Sequence, residues 1–301
     1  MRALAWTRHD LDDWISACLD VLLNPTKDCL CSNGSIPSRS HVEAQVKSFT
    51  ASDPIMEYGL ATLYKDTVVR TDVIDEAILK TGPLDQVVFL GAGFDSRPYR
   101  NSSHLQSVPT IFMTDLEQSS RLRQHVVQSC GFGPVNSADG VVDMFLDLLE
   151  DDAFRYLKRD PRFKPAGRTL FIQEHVAEYL SEDANAMWML GLHHFAQSLE
   201  GEMHLLMQTW RATPSTQEFL ANHGFAINSM ETFRSAMAYD QTDSDCFMLK
   251  LGWVRDSSFQ ELSKTYAELA EPEGYGLPGT SHHVFGFMGG FQPATSNGTC
   301  G

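Results

Sequence analysis

No stretch of 18 apolar residues occurs in this 301-residue chain, so nothing in it is long enough to serve as a membrane-spanning helix. No five basic residues stand in a row either. A formal net charge of −16 and a pI near 5.0 give a field that repels phosphate backbones and anionic lipid, which argues against nucleic acid or a membrane surface as partner. Cysteine is sparse and scattered, at positions 18, 29, 31, 130, 246 and 300. Only Cys29 and Cys31 are close, and no His pair stands at finger-like spacing, so buried or free thiols are expected rather than a metal site. The opening Met1–Trp6 is too short an apolar core for a secretory signal and runs at once into Arg8 and Asp10, so the expected location is the cytoplasm. The chain has no internal repeat.

What is present is ordinary for a globular protein: 43% hydrophobic and 21% charged residues. Leu11, Trp14, Ile15, Cys18, Leu19 and Leu22 fall at helical spacing, and two further helical patterns follow around His41–Phe49 and Thr67–Leu79. From residue 86 onward short apolar runs alternate with helical patterns. Strands are expected near 86–90, 110–114, 141–145, 168–173, 202–208, 247–251 and 282–288, and helices near 116–129, 150–158, 183–199, 214–222 and 257–270. Such alternation implies an α/β fold with a largely parallel sheet and helices on both faces. One domain over 1–301 is the expected organisation: a helical amino-terminal cap over 1–80, an α/β core over 81–291 and a frayed tail over 292–301.

The chemistry is concentrated where the strands end. Gln86–Arg100 reads QVVFLGAGFDSRPYR: a buried strand breaks into Gly91-Ala92-Gly93, where glycines accept positive φ and leave no Cβ in the way of a ligand. The carboxyl end of a parallel strand is where open α/β sheets bind nucleotides. Asp115 ends the second apolar run, 24 residues after Gly91, at the place where an acid accepts hydrogen bonds from ribose hydroxyls. Asp147-Leu148 ends the third, where a carboxylate can take the exocyclic amine of an adenine while the Leu covers its face. Glu174 ends the fourth. A single such acid reads equally well as a helix N-cap; three at successive strand ends read as a site.

The run LGAGFDSRPYR resembles the LGAG-x-D-T-R-x-Y-R signature of the leucine carboxyl methyltransferase family, S-adenosylmethionine-dependent O-methyltransferases built on a seven-stranded Rossmann-like sheet. Val69–Asp75 is similar to the family's Arg-bearing helix before the first strand, Phe171–Leu180 to its fourth-strand stretch, Glu218–Phe225 to its late helix and His282–Met288 to its closing strand. The resemblance covers roughly residues 39–290. It departs at Pro98, where the family has a small residue, at Arg39, a poor match for its amino-terminal basic residue, and over 254–281, which does not align. The resemblance implies that Gly91 and Gly93 cradle the methionine part of S-adenosylmethionine, Asp115 the ribose, and Asp147 with Leu148 the adenine. It implies that Arg70 pairs with a carboxylate of cofactor or acceptor and that Glu174 holds the methionine amino group at the mouth of the acceptor pocket.

The expected reaction is transfer of the activated methyl to a carboxylate, leaving S-adenosylhomocysteine. A carboxylate is ionised at neutral pH and needs no general base. A hydroxyl acceptor would need one, and His175, His41, His204 and His283 are the available imidazoles; His175 ranks first because it follows Glu174. A nicotinamide-dependent oxidoreductase is the alternative of another class, weakened by Ser96 in place of the third glycine of its fingerprint. A cofactor-binding protein without turnover is the third reading. The acceptor is expected to be a small molecule, with a protein carboxy-terminus also compatible. The sequence does not specify an oligomeric state.

Overall fold

The computed structural model describes residues 70–99, 104–129, 133, 140–150, 152–210, 241–259 and 285–294. The expected helices at 11–22, 41–49 and 214–222, most of the amino-terminal cap and residues 260–270 lie outside the described residues. Seven strands form one sheet: β1 (Gln86–Leu90), β2 (Thr110–Asp115), β3 (Gly140–Phe145), β4 (Thr169–Glu174), β5 (Met203–Trp210), β6 (Trp253–Arg255) and β7 (Phe285–Pro293), in the order β3-β2-β1-β4-β5-β7-β6. The first five are parallel; β7 runs antiparallel between β5 and β6.

Alternation along the strands sorts the core into two layers. On one face Val87, Phe89, Ile111, Met113, Leu170, Ile172 and Leu206 pack with Val73, Ile74, Ala77 and Ile78 of helix α1, which spans 70–80. On the other Val88, Leu90, Phe112, Val142, Phe171, Leu205 and Met207 pack with Trp188, Met189, Leu192, Phe195 and Ala196. That second set belongs to the long helix between β4 and β5, Glu182–Gln197. Because both faces are covered, the central strands are buried at nearly every position and mostly apolar, as QVVFL of β1 shows. Truncating Phe171, which is fully buried, would cost about 3–5 kcal/mol.

Among the described residues the other α-helices are α2 (Glu117–Ser129), α3 (Arg155–Arg159), α4 (Glu182–Gln197, above) and α5 (Gln241–Lys250). Ser181 caps α4 by accepting from the Ala184 N–H at 3.2 Å. Asn185, fully buried, donates to the Ala177 and Leu180 carbonyls at 2.8 and 3.2 Å and accepts from Trp188 Nε1 at 2.9 Å. This one side chain ties the segment after β4 to the helix that covers it.

Three expectations are corrected. Residues 247–250 belong to helix α5 rather than to a strand. A short apolar run such as Phe247-Met-Leu-Lys-Leu251 has no period of its own; here it extends a polar helix that stops at Gly252, whose φ of +86° no L-residue adopts comfortably. The strand of that region is the three-residue β6, and the closing strand is described over Phe285–Pro293. The helix expected over 150–158 is confined to Arg155–Arg159. Cys246, expected as a thiol, is disulfide-bonded.

Candidate functional site

From β1 the chain moves to β2 and β3 on one side, then returns to β4 and β5 on the other. The strand order therefore reverses between β1 and β4, and ligands of open α/β sheets bind in the crevice outside the carboxyl ends at such a point. The registers align those ends: Leu90 lies opposite Thr114 and Gln173, and Asp115 opposite Phe145. At about 4.8 Å per strand, Glu174, the Gly91–Gly93 turn, Asp115 and the segment that follows β3 form a row roughly 14 Å long.

Two glycines in the left-handed region, Gly91 at φ +64° and Gly93 at +49°, turn the chain out of β1. The Ala92 N–H donates to the Thr114 carbonyl at 2.9 Å, which ties the turn to β2. A Cβ on Gly91 would lie 2.3 Å from Val176 Cγ2, so the glycine also lets the segment after β4 approach. Among the described residues, a Cβ on Gly93 would meet nothing nearer than 4.0 Å, so none of them fills the space over this glycine.

Asp115 is fixed by this turn. Its Oδ2 accepts from the Gly93 N–H at 2.6 Å and its Oδ1 from the Leu116 N–H at 2.7 Å. Each oxygen keeps a second lone pair, the pair of acceptors a ribose diol requires. Beneath the turn lies Arg123 of α2, fully buried. It donates to the Gly93 carbonyl at 2.7 Å and to Asp143 Oδ1 at 2.5 Å, with Asp115 Oδ2 3.9 Å away. Burial, with Asp143 close by, pushes the Tyr99 hydroxyl above its ordinary range, so it stays a neutral phenol. Asp147 Oδ1 accepts from the Leu149 N–H at 2.9 Å, and Leu148 beside it is half-buried against the core. Leu116, Phe145 and Leu149, on the same edge, are exposed apolar side chains.

At the other end of the row the charges are full ones. Glu174 accepts from Arg70 Nε of α1 and, through Oε2, from an Arg97 terminal nitrogen at 2.9 Å. Arg97 is only 2% exposed; it also donates to Asp95 and, through Nε, to Asp75 of α1 at 2.7 Å. Burial alone would raise the Glu174 pKa, but Arg70, Arg97 and then His175 outweigh it and hold the carboxyl down at about 2. Burial likewise opposes the charge on Arg97, and Asp95, Glu174 and Asp75 overcome it. His175 follows at φ +53°, an uncommon conformation for a residue with a Cβ. Its N–H donates to the Gln208 carbonyl at 3.2 Å. The buried Gln173 amide, oriented so that both its ends are satisfied, accepts from the Val176 and Ala177 N–H groups at 2.7 and 3.0 Å.

Arg70, Gly91, Gly93, Asp115, Asp147, Leu148, Glu174 and His175 thus all stand on one edge of the sheet or on elements packed at it. His204 does not. It pairs with Leu170 near the amino ends of β4 and β5, where it is buried against Asp256 with Glu202 at 3.0 Å, so it is a structural imidazole and no base for this site. His41 and His283 lie outside the described residues. Three residues escaped the sequence reading: Arg97, Asp75 and Arg123. Arg97 stands within the quoted signature, yet nothing local in the sequence says that it reaches Asp75 and Glu174.

The residues present fit S-adenosylmethionine: a space over a glycine turn that no described residue fills, a carboxylate with two spare acceptors at the next strand end, a second carboxylate beyond it, and an Arg–Glu pair matching an amino-acid zwitterion. A model of the leucine carboxyl methyltransferase family matches residues 20–189. No curated protein sequence matches the chain. Among solved structures, the chain is similar to magnesium protoporphyrin IX methyltransferase (ChlM) from Synechocystis PCC 6803 with bound SAH. The identity is 11% over 76% of this chain and 83% of that one, with a TM-score of 0.44. It is also similar to the S-adenosylmethionine-dependent methyltransferase SibL, at 11% identity over 85% and 73% of the two chains and a TM-score of 0.42. For the mitomycin 7-O-methyltransferase MmcR the values are 12%, 82%, 60% and 0.41. With more than half of its length matched by one family and a crevice whose residues suit that family's methyl donor, the chain belongs to the leucine carboxyl methyltransferase family and is an S-adenosylmethionine-dependent methyltransferase.

Proposed function

We propose that this chain methylates a carboxylate oxygen of a small-molecule acceptor. The observation that carries the reading is Glu174 clasped by two arginines at the strand-order reversal. A carboxylate held down at about 2 is a poor proton acceptor at neutral pH. The charged group best placed at the mouth of the site therefore orients rather than removes protons, which suits an acceptor that is already an anion. The acidic balance of the chain supports a small molecule over an acceptor carried on nucleic acid.

Bound in the crevice, the cofactor supplies a sulfonium methyl that is already activated for transfer. The chain's part is positioning, which can contribute on the order of 7–11 kcal/mol. Asp115 accepts from the ribose hydroxyls, and Asp147 takes the adenine amine under the cover of Leu148. The Gly91–Gly93 turn admits the methionine part to the backbone. Glu174 takes the methionine ammonium and Arg70 a carboxylate, of cofactor or of acceptor.

A second reading, transfer to a hydroxyl, is kept by one observation: His175 stands beside Glu174 in an uncommon backbone conformation. The two are separated by their products. Incubation with isotope-labelled S-adenosylmethionine and a metabolite extract is expected to give a product that loses methanol in mild base, as an ester does. A base-stable product would move the acceptor to a hydroxyl and the chemistry to His175. In the same assay Arg70→Lys, which keeps the charge but loses the planar fork, is expected to lose most of the activity.

A further inference from the structure

The Arg70–Glu174 pair can serve the cofactor only if Glu174 is held in place when Arg70 turns to a ligand, and the structure contains a group built for that. We propose that Arg97 is the positioning residue of the cofactor's amino-acid end: it touches no ligand itself and acts by holding Glu174.

Arg97 is anchored before it reaches Glu174. Nε is committed to Asp75 at 2.7 Å, and one terminal nitrogen binds Asp95. That same nitrogen bridges on to Glu174 Oε2 at 2.9 Å. The Arg97 N–H adds a bond to Asp95 Oδ1 at 2.8 Å, so backbone and side chain are clamped by one aspartate. Asp75 and Arg70 both belong to α1. The helix thus approaches Glu174 twice, directly through Arg70 and indirectly through Asp75 and Arg97. The two routes differ in exposure: Arg97 is sealed, its side chain 2% exposed, whereas Arg70 at 11% and Glu174 at 17% face the crevice. A planar, always-charged fork with several fixed donors suits a site where three carboxylates meet one side chain. The second terminal nitrogen of Arg97 is buried and has no hydrogen-bond partner among the described residues, so the side chain accepts an unsatisfied donor to keep this geometry.

The inference rests on the proposed use of Glu174 toward the methionine ammonium, and a double-mutant cycle separates the two. Binding of S-adenosylmethionine and S-adenosylhomocysteine is measured by titration calorimetry for the wild type, Glu174→Gln, Arg97→Met and the double variant, with thermal melting to show that each is folded. If Arg97 acts through Glu174, Arg97→Met weakens binding by about tenfold to a hundredfold in the wild-type background. In the Glu174→Gln background it then costs less than about twofold, because the interaction is already gone. Where Arg97→Met does not fold, Arg97→Lys keeps the buried charge and runs through the same cycle with the same expected collapse. Equal losses in both backgrounds would assign Arg97 to general stability and overturn the inference, leaving the cofactor reading intact. A wild type that binds, with Glu174→Gln binding equally well, would overturn the role of Glu174 and the inference with it.

Discussion

The two halves of the crevice hold their carboxylates by different physics. On the β4 side Glu174 lies between two guanidinium groups, one of them shared with Asp75 and Asp95. On the β2 and β3 side Asp115 and Asp147 take their hydrogen bonds from backbone N–H groups, and the Arg123 guanidinium comes no nearer to Asp115 than 3.9 Å. Buried full charges make every member depend on the rest, since removing one leaves another unpaired. Neutral backbone donors orient a carboxylate without cancelling its charge, and lone pairs remain for hydroxyl or amine donors on a ligand. One half is therefore structurally coupled to its function, and the other is separable from it.

The sharpest way to break that contrast is Glu174→Gln. It leaves two arginines short of a counter-charge and is expected to lower the unfolding free energy by about 3–5 kcal/mol, read from urea titration, along with cofactor affinity. A stability within roughly 1 kcal/mol of wild type would erase the distinction. Asp115→Asn is expected to behave oppositely: cofactor affinity falls by up to about 3 kcal/mol in calorimetry, while the urea midpoint moves far less than in Glu174→Gln. Asp147→Ala, at a more open position, should cost about 1.5 kcal/mol of affinity and leave the fold intact.

The smallest effect is a slope. Because the Glu174 pKa is lowered from 4.5 to about 2 in the folded chain, the unfolded state binds the proton first as pH falls. The stability Glu174 confers is fully present above about 4.5 and is lost between there and about 2, at no more than about 1.4 kcal/mol per pH unit. Urea midpoints over that window are expected to fall less steeply for Glu174→Gln than for wild type.

The first four strands were legible because each is an apolar run with a glycine or an acid at its end or within two residues of it, and β5 because of its apolar run alone, signals confined to a few neighbouring residues. The ordered acids Asp115, Asp147 and Glu174 were legible for the same reason. What was hidden is what long loops bring together. Arg97 and Asp75 stand 22 residues apart, Arg70 and Glu174 104, and no local period encodes which charges meet. Arg123 was hidden differently: in α2 it reads as a solvated helix cation, yet it is buried under the Gly93 carbonyl. Residues 247–251 misled because five apolar-rich residues fit a strand as well as a helix end. The Gly252 C-cap was the available signal.

Gly91 carries a consequence for how this site can change over evolutionary time. Two unrelated constraints meet at the position: a φ of +64° and a gap to Val176 Cγ2 too small for a methyl group. Enlarging residue 91 requires shrinking residue 176 in the same step, and the backbone strain, about 1 kcal/mol for an L-residue, would survive even then. No single substitution leads away from this glycine through a stable intermediate, so drift in the acceptor side of the site has to run along other residues while this corner stays where it is.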